Sequence, residues 1–258
     1  MGAEGARISE DAVLGGRLAL RQPRKGHRVG HDAILLAAAC APGAGDRLVD
    51  LGAGVGAAGL AVARRVDDLA VTLIEIDADL TALARDNAAA NKLVAGVRAV
   101  CLDVSARPTA FAAAGLPPGS ADHVLMNPPF NAAAHPSPDR GRRLAHSAAD
   151  GALVQWVGVA ARLLRPAGTL TLIWRADGLD AVIAALAKSF GAVTILPVHP
   201  KPDAPAVRIL VRAVKASRAP LALLPGLILA DAAGKPTAAA EAVLREGALL
   251  PFSANARR

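Results

Sequence analysis

The chain has 258 residues, enough for one large α/β domain with a full core. Its hydrophobic content is 53 %, much of it alanine, and no apolar run approaches the roughly 18 residues that a membrane-spanning helix needs. A formal charge of +7 favours a polyanionic partner such as nucleic acid.

Residues 1–43 read as a lead-in containing the basic cluster RQPRKGHR, Arg21 to Arg28. The opening MGAEGARISEDAV carries acids and lacks the apolar core of a signal peptide, so a cytoplasmic protein is expected. A main domain over 44–216 then alternates strand-like apolar runs with alanine-rich helical stretches, the pattern of a doubly wound, mostly parallel seven-stranded sheet with helices on both faces. Strands are expected at 47–51, 71–76, 97–104, 123–126, 169–174, 193–198 and 207–212. Helices are expected at about 57–65, 78–91, 148–165 and 177–189, with Gly168 stopping the third. An extension over 217–258 reads as a strand, a turn and a helix. Cys40 and Cys101 form no CxxC and read as small core residues in a reducing compartment. Core packing is likewise the expectation for Trp156 and Trp174.

Each of the first four strands ends in a polar residue: Asp50, Glu75, Asp103 and Asn127. In an open parallel sheet, ligands bind beyond the carboxyl ends of the strands where strand order reverses, so these residues should line one crevice. The loop LGAGVGAAG, Leu51 to Gly59, is ambiguous. Gly54, Gly56 and Gly59 fit the dinucleotide fingerprint GxGxxG, whereas Gly52, Gly54 and Gly56 fit the GxGxG of S-adenosylmethionine enzymes. Glu75 stands about 20 residues past Gly54, as a ribose-binding carboxylate should under either reading. Asp103 could accept from an adenine amine in both. Asp50 favours the second, because a carboxylate beside a pyrophosphate is repelled, while one beside an ammonium and a sulfonium is attracted.

Asn127 begins Asn-Pro-Pro-Phe. Two prolines fix φ and hold the residue before them extended, so Asn127 and Phe130 are presented in a stiff frame. A conjugated amine attacks a methyl group poorly, because its lone pair is delocalised. If the Asn127 side-chain oxygen and the Pro128 carbonyl each accept one N–H bond, the nitrogen is fixed with its lone pair aimed at the methyl, and Phe130 can stack on the planar acceptor.

VDLGAGVG, LIEID, CLDVS and MNPPF, in this order, resemble the class I S-adenosylmethionine-dependent methyltransferases of the methyltransferase small domain group. The lead-in segment QPRKGHRVGHDAILLAA and, more loosely, the tail resemble the bacterial transfer RNA adenine-N6 methyltransferases that act beside the anticodon of a valine tRNA. That family commonly has Tyr where this chain has Phe130, and both can stack. The resemblance covers about residues 22 to 214. It implies S-adenosylmethionine as cofactor, held by Asp50, Gly52, Ala53, Gly54, Gly56, Glu75, Ile76, Asp103, Val104 and Asn127, with Arg28 and Asp32 in a segment closing over it. It implies Asn127, Pro128, Pro129 and Phe130 as the catalytic loop, and a tRNA substrate.

The charge reading adds Arg140, Arg142 and Arg143, with Arg24 and Lys25, as phosphate contacts for RNA. No HExxH or paired-Cys spacing indicates a metal, and no GxSxG anchors a hydrolase triad. Alternatives of the same chemistry are methylation of a release-factor glutamine or of a ribosomal RNA guanine. A nicotinamide-dependent oxidoreductase would leave Asn-Pro-Pro-Phe without a role, and a non-enzymatic RNA-binding module would need neither the strand-end acids nor Asn127.

Overall fold

The computed structural model describes residues 8–24, 28–129 and 140–252, with the backbone alone for 140–150. An antiparallel hairpin, β1 (Ile8–Val13) and β2 (Leu18–Pro23), leads into α1 (His31–Ala39). Then follow β3 (Arg47–Leu51), α2 (Ala57–Ala63), β4 (Ala70–Glu75), α3 (Ala78–Ala90), β5 (Val97–Cys101), α4 (Pro108–Ala113) and β6 (Ala121–Met126). The second half contains α5 (Arg140–Leu163), β7 (Leu164–Arg175), α6 (Leu179–Leu186), β8 (Phe190–His199), β9 (Arg208–Lys215), the short β10 (Ala222–Leu223) and β11 (Leu227–Ile228), and α7 (Ala238–Leu244).

Among the described residues the main sheet runs β10-β8-β9-β7-β6-β3-β4-β5, with β11 also on β8. β9 is antiparallel to both its neighbours and the remaining pairs are parallel. The expected doubly wound fold is therefore present, with two two-residue strands beyond the seven read from sequence. The chain builds outward from β3 to β5, then returns to the other side of β3 with β6. That reversal between β3 and β6 is the topological switch point.

Both faces of the sheet are covered, which is why its strands read as continuous apolar runs. Side chains alternate: Leu48, Leu73 and Leu125 pack with the hairpin, α1, α2, α3 and α7. Val49, Ile74, Val124 and Met126 pack with α4, α5 and α6 on the other face. Phe111 is fully buried in the second cluster under the Arg162 guanidinium, 5.4 Å from its ring centre. Truncating it to alanine would cost about 3 to 5 kcal/mol.

Local chemistry sets the helix starts. Asp77 caps α3 by accepting from Asp79 and Leu80 N–H, Pro108 opens α4, and Thr237 caps α7 by accepting from Ala240 N–H. At the amino ends of the strands, Asp122 accepts from both Arg47 N–H (2.9 Å) and Arg47 Nε (3.1 Å), and pairs with Arg165, so β3, β6 and β7 are tied together below the site. Burial works against that carboxylate, but Arg165 and Arg47 outweigh it and hold it at about 2.

The hairpin is anchored by two asparagines one turn apart, Asn87 on α3 and Asn91 at its C-cap. Asn87 accepts from Arg21 N–H (2.7 Å) and donates to Arg21 O (3.0 Å), while Asn91 does the same to Ala19 at 3.0 and 2.7 Å. Side-chain amides thus stand in for a neighbouring strand along β2.

Several expectations are corrected. β5 ends at Cys101, because Asp103 is captured in a turn by Ser105 N–H (2.7 Å) and Ser105 Oγ (2.6 Å). Gly168 does not stop a helix: α5 has already ended at Leu163, and Gly168 lies within β7, where an added methyl would sit 2.9 Å from Arg165 O and 3.1 Å from Asp122 O. The cluster Arg140, Arg142 and Arg143 lies on α5, which begins well before residue 148. Cys40 is buried as expected, but Cys101 is exposed. Trp174 is core, whereas Trp156 is only partly buried.

Candidate active site

Strand register assembles the site. Leu51 pairs with Met126 on β6 and with Ile74 on β4, so the next residues, Gly52, Asn127 and Glu75, leave the sheet side by side. Glu75 pairs with Cys101 on β5, which carries Ile76 beside the loop that holds Asp103 and Val104. The switch point thus gathers the residues read from four separate strand ends.

The glycine loop is held open by backbone geometry. Gly52, Gly54 and Gly56 have φ of 68, 57 and 89°, the left-handed region that glycine enters without a Cβ penalty. Ala53 N–H donates to Ile74 O at 2.8 Å, fastening the loop to β4. Glu75 Oε2 accepts from Gly54 N–H (2.8 Å) and Oε1 from Asp77 N–H (3.0 Å). Each oxygen keeps a second lone pair for a ligand hydroxyl. A methyl at Gly54 would meet nothing within 4 Å, so space lies above this point.

Asp50 departs from the sequence picture of an acid facing the crevice. It is only 2 % exposed, and its Oδ2 accepts from Gly59 N–H at 2.9 Å, in the first turn of α2. Burial pushes its carboxyl up to about 7, against the Gly59 hydrogen bond that lowers it and with help from the neighbouring negative charge of Glu75. Asp50 therefore shapes the loop directly, and a cationic ligand group would favour its ionised form.

Ile76 is 63 % exposed, an apolar surface standing open next to Glu75, and Val104 is buried. Asp103 is exposed and accepts from Ser105; those hydrogen bonds, side chain first and backbone second, hold its carboxyl below the usual range. An exposed apolar side chain and two carboxylates with lone pairs to spare are groups that would suit an adenosine.

Asn127 follows β6 directly. Its Oδ1 is buried and finds no hydrogen-bond partner among the described residues. Unpaired buried acceptors are costly and rare, which makes this oxygen a candidate acceptor for a ligand N–H. Pro128 is buried and Pro129 exposed, giving the acceptor a rigid backbone. Phe130 lies outside the described residues.

Other predicted residues are placed differently. Arg28 pairs with Asp11 of β1 at 2.8 Å, and Gln22 joins them by donating to Asp11 (2.7 Å) and accepting from Val29 N–H (2.8 Å). Asp32, in the first turn of α1, pairs with Arg208 Nε of β9 at 2.9 Å. Arg24 donates to Ile8 O at 3.1 Å, and Lys25 lies outside the described residues. The side chains of Arg140, Arg142 and Arg143 also lie outside them, on the first turns of α5.

Sequence reasoning missed two contacts. Gly59 is required by packing: an added methyl would lie 2.4 Å from Leu73 Cδ2 and 3.1 Å from Asp50 Oδ2. At Gly52 a methyl would lie 2.3 Å from Trp156 Cη2, so an indole from α5 touches the glycine loop. Helical spacing shows which face Trp156 occupies, but nothing local names its partner.

Two cavities lie elsewhere and include none of the predicted residues. One of about 290 Å³, open to solvent, is lined by α1, α2 and α7, and another of about 490 Å³ lies at the amino ends of β4 and β5. Among the described residues there is no cluster of three His, Cys, Asp or Glu able to hold a metal, and no helix long and apolar enough to cross a membrane.

Comparison with known proteins agrees with this geometry. The family model described as methyltransferase small domain matches residues 28–201. A curated protein of Phocaeicola vulgatus named tRNA1(Val) (adenine(37)-N6)-methyltransferase is 28 % identical over 162 residues, 61 % of this chain and 64 % of that protein. One of the same name from Tolumonas auensis is 27 % identical over 63 % of this chain and 65 % of its own length. The match therefore spans somewhat less than two thirds of both curated relatives. Among solved structures, a predicted O-methyltransferase from Agrobacterium tumefaciens is 33 % identical with a TM-score of 0.72, covering 85 % of this chain and 98 % of that one. A T. thermophilus 16S rRNA N2 methyltransferase in complex with AdoMet and guanosine shares the fold, at 22 % identity and a TM-score of 0.56, over 81 % of this chain and 50 % of its own.

Proposed function

The chain belongs to the methyltransferase small domain family and uses S-adenosylmethionine, and from that premise we propose that it methylates the exocyclic N6 amine of an adenine in transfer RNA, beside the anticodon. The observation that carries the reading is the buried Oδ1 of Asn127 at the switch point, which has no hydrogen-bond partner among the described residues. The names of the two curated relatives and the +7 charge support the RNA acceptor.

The residues divide the work by position. Glu75 holds ribose hydroxyls, while Ile76, Val104 and Asp103 flank the adenine of the cofactor. The left-handed glycines let the backbone approach closely, and ionised Asp50 favours the cationic methionine end. Bound there, the cofactor supplies an electrophilic methyl carried on a sulfonium.

Asn127 Oδ1 and the Pro128 carbonyl accept the two N–H bonds of the acceptor amine, drawing its lone pair out of conjugation and toward the methyl. Phe130 stacks on the base. The new C–N bond forms as the S–C bond breaks, its electron pair staying on sulfur. The methylated nitrogen, briefly cationic and acidic, releases its proton to water. No general base is needed beforehand, which fits an asparagine rather than a carboxylate at this point.

The test is incubation with methyl-labelled cofactor and unmodified transfer RNA, followed by nucleoside mass spectrometry. Label in N6-methyladenine is the expected result. Label in a release-factor glutamine, in guanine, or on a hydroxyl, the acceptor type that the name of the Agrobacterium protein gives, would replace it.

A further inference from the structure

Trp156 lies on the inward side of α5, where Leu153, Val157, Ala160 and Leu163 are buried, yet it remains partly exposed. Its ring reaches across to the end of β3. From the position of a methyl built on Gly52, Cη2 is 2.3 Å away, Cζ3 2.8 Å and Cζ2 3.5 Å. Distances that rise from Cη2 to its two ring neighbours mean that the indole meets Gly52 by its tip. The faces of the ring are then turned to either side of the contact, and only a hydrogen on Gly52 leaves room for it.

Gly52 lies between Glu75 and Asn127 by strand register. On the functional reading above, on which this inference rests, the ribose is held at Glu75 and the methyl is delivered at Asn127. The sulfonium that connects them must cross the end of β3, over Gly52. We propose that Trp156 is a cofactor-contacting residue whose indole face holds the sulfonium and so distinguishes the charged methyl donor from its neutral thioether product.

A cation over an indole is attracted by the ring quadrupole, and the effect grows when water is excluded. S-adenosylhomocysteine has the same adenosine and amino-acid ends but no charge on sulfur. An aromatic face at the sulfur therefore favours donor over product, which would ease product release after transfer. A tryptophan that merely fills space would serve both ligands alike.

Calorimetry with S-adenosylmethionine and S-adenosylhomocysteine separates these cases. Trp156→Leu should weaken donor binding by roughly 3- to 30-fold and product binding far less, so the ratio of the two dissociation constants moves, while Trp156→Phe keeps most of the preference. The chain has two tryptophans, so Trp174→Phe leaves Trp156 as the sole emitter. Its fluorescence should change more with the donor than with the product; this readout carries the test if the leucine variant fails to fold. A wild type that binds the donor while the ratio and emission stay unmoved overturns the Trp156 assignment alone. A wild type that binds neither ligand overturns the cofactor site and this assignment together.

Discussion

Leu51 and Met126 stand opposite one another where β3 and β6 pair, so Gly52 and Asn127 leave the sheet at the same level. The glycine loop and the Asn127 amide are thereby set by one hydrogen-bonded register rather than by two independent loops. Asn127→Ala should leave the fold intact, because Oδ1 makes no hydrogen bond among the described residues, and should leave cofactor affinity nearly unchanged in calorimetry, because the proposal assigns that oxygen to the acceptor amine. Turnover should fall by about 10²- to 10³-fold, as when one positioned hydrogen-bonding group is removed from other enzymes. Full activity in this variant would remove Asn127 from the reaction.

Under the proposed function, Asp50 should make cofactor binding depend on pH. With its folded pKa raised to about 7, above that of an unfolded aspartate, the folded protein holds the extra proton between roughly pH 4 and 7. Stability from this group is fully present below the unfolded pKa and is lost as pH rises through about 7. A ligand bearing an ammonium selects the ionised carboxylate, so affinity for S-adenosylmethionine should rise about threefold to tenfold from pH 6 to 7.5. Asp50→Asn should flatten that rise and be more stable than the wild type at pH 8. Equal pH profiles for the two proteins would show that Asp50 does not titrate in this range.

Gly59 and Gly54 respond to alanine for different reasons. In an exposed helix, Gly→Ala gains about 1 kcal/mol. At Gly59 the methyl instead overlaps Leu73 and crowds Asp50, so a net loss of about 1 to 3 kcal/mol is expected in urea unfolding. At Gly54 the space is open and only the positive φ is unfavourable, with a loss of about 1 to 2 kcal/mol. A stabilised Gly59→Ala variant would contradict the packing described here.

For the RNA acceptor, binding of bulk transfer RNA should weaken steeply with salt, with a slope of about 0.7 per single-strand phosphate contact. The variant carrying both Arg142→Ala and Arg143→Ala should bind less tightly and with a shallower slope. Indifference of binding to salt and to these arginines would favour a protein acceptor.

The sheet was legible because its strands are buried on both faces and so appear as uninterrupted apolar runs: 47–51 emerges with the observed bounds. The placement of Asp50 was not. Its position near a strand end is visible, but its turn toward Gly59 N–H depends on α2 starting where it does. Asp103 reads as part of a strand because nothing in the apolar pattern reveals the Ser105 turn. The hairpin and α1 are hidden for another reason. Residues 18–23 alternate only weakly, and what fixes them is amide hydrogen bonding from Asn87 and Asn91, 66 and 72 residues away.

Those two asparagines also impose an order on biosynthesis. A lone two-stranded hairpin is marginal in water, and the partners of β2 do not exist until the ribosome has added residue 91 and α3 has wound. The hairpin, made before α3, must therefore wait, exposed to chaperones, and close over α3 from outside. Amide exchange pulsed on nascent chains of increasing length should find Ala19 and Arg21 protected only after α3 clears the exit tunnel; protection before then would mean that the hairpin stands unaided.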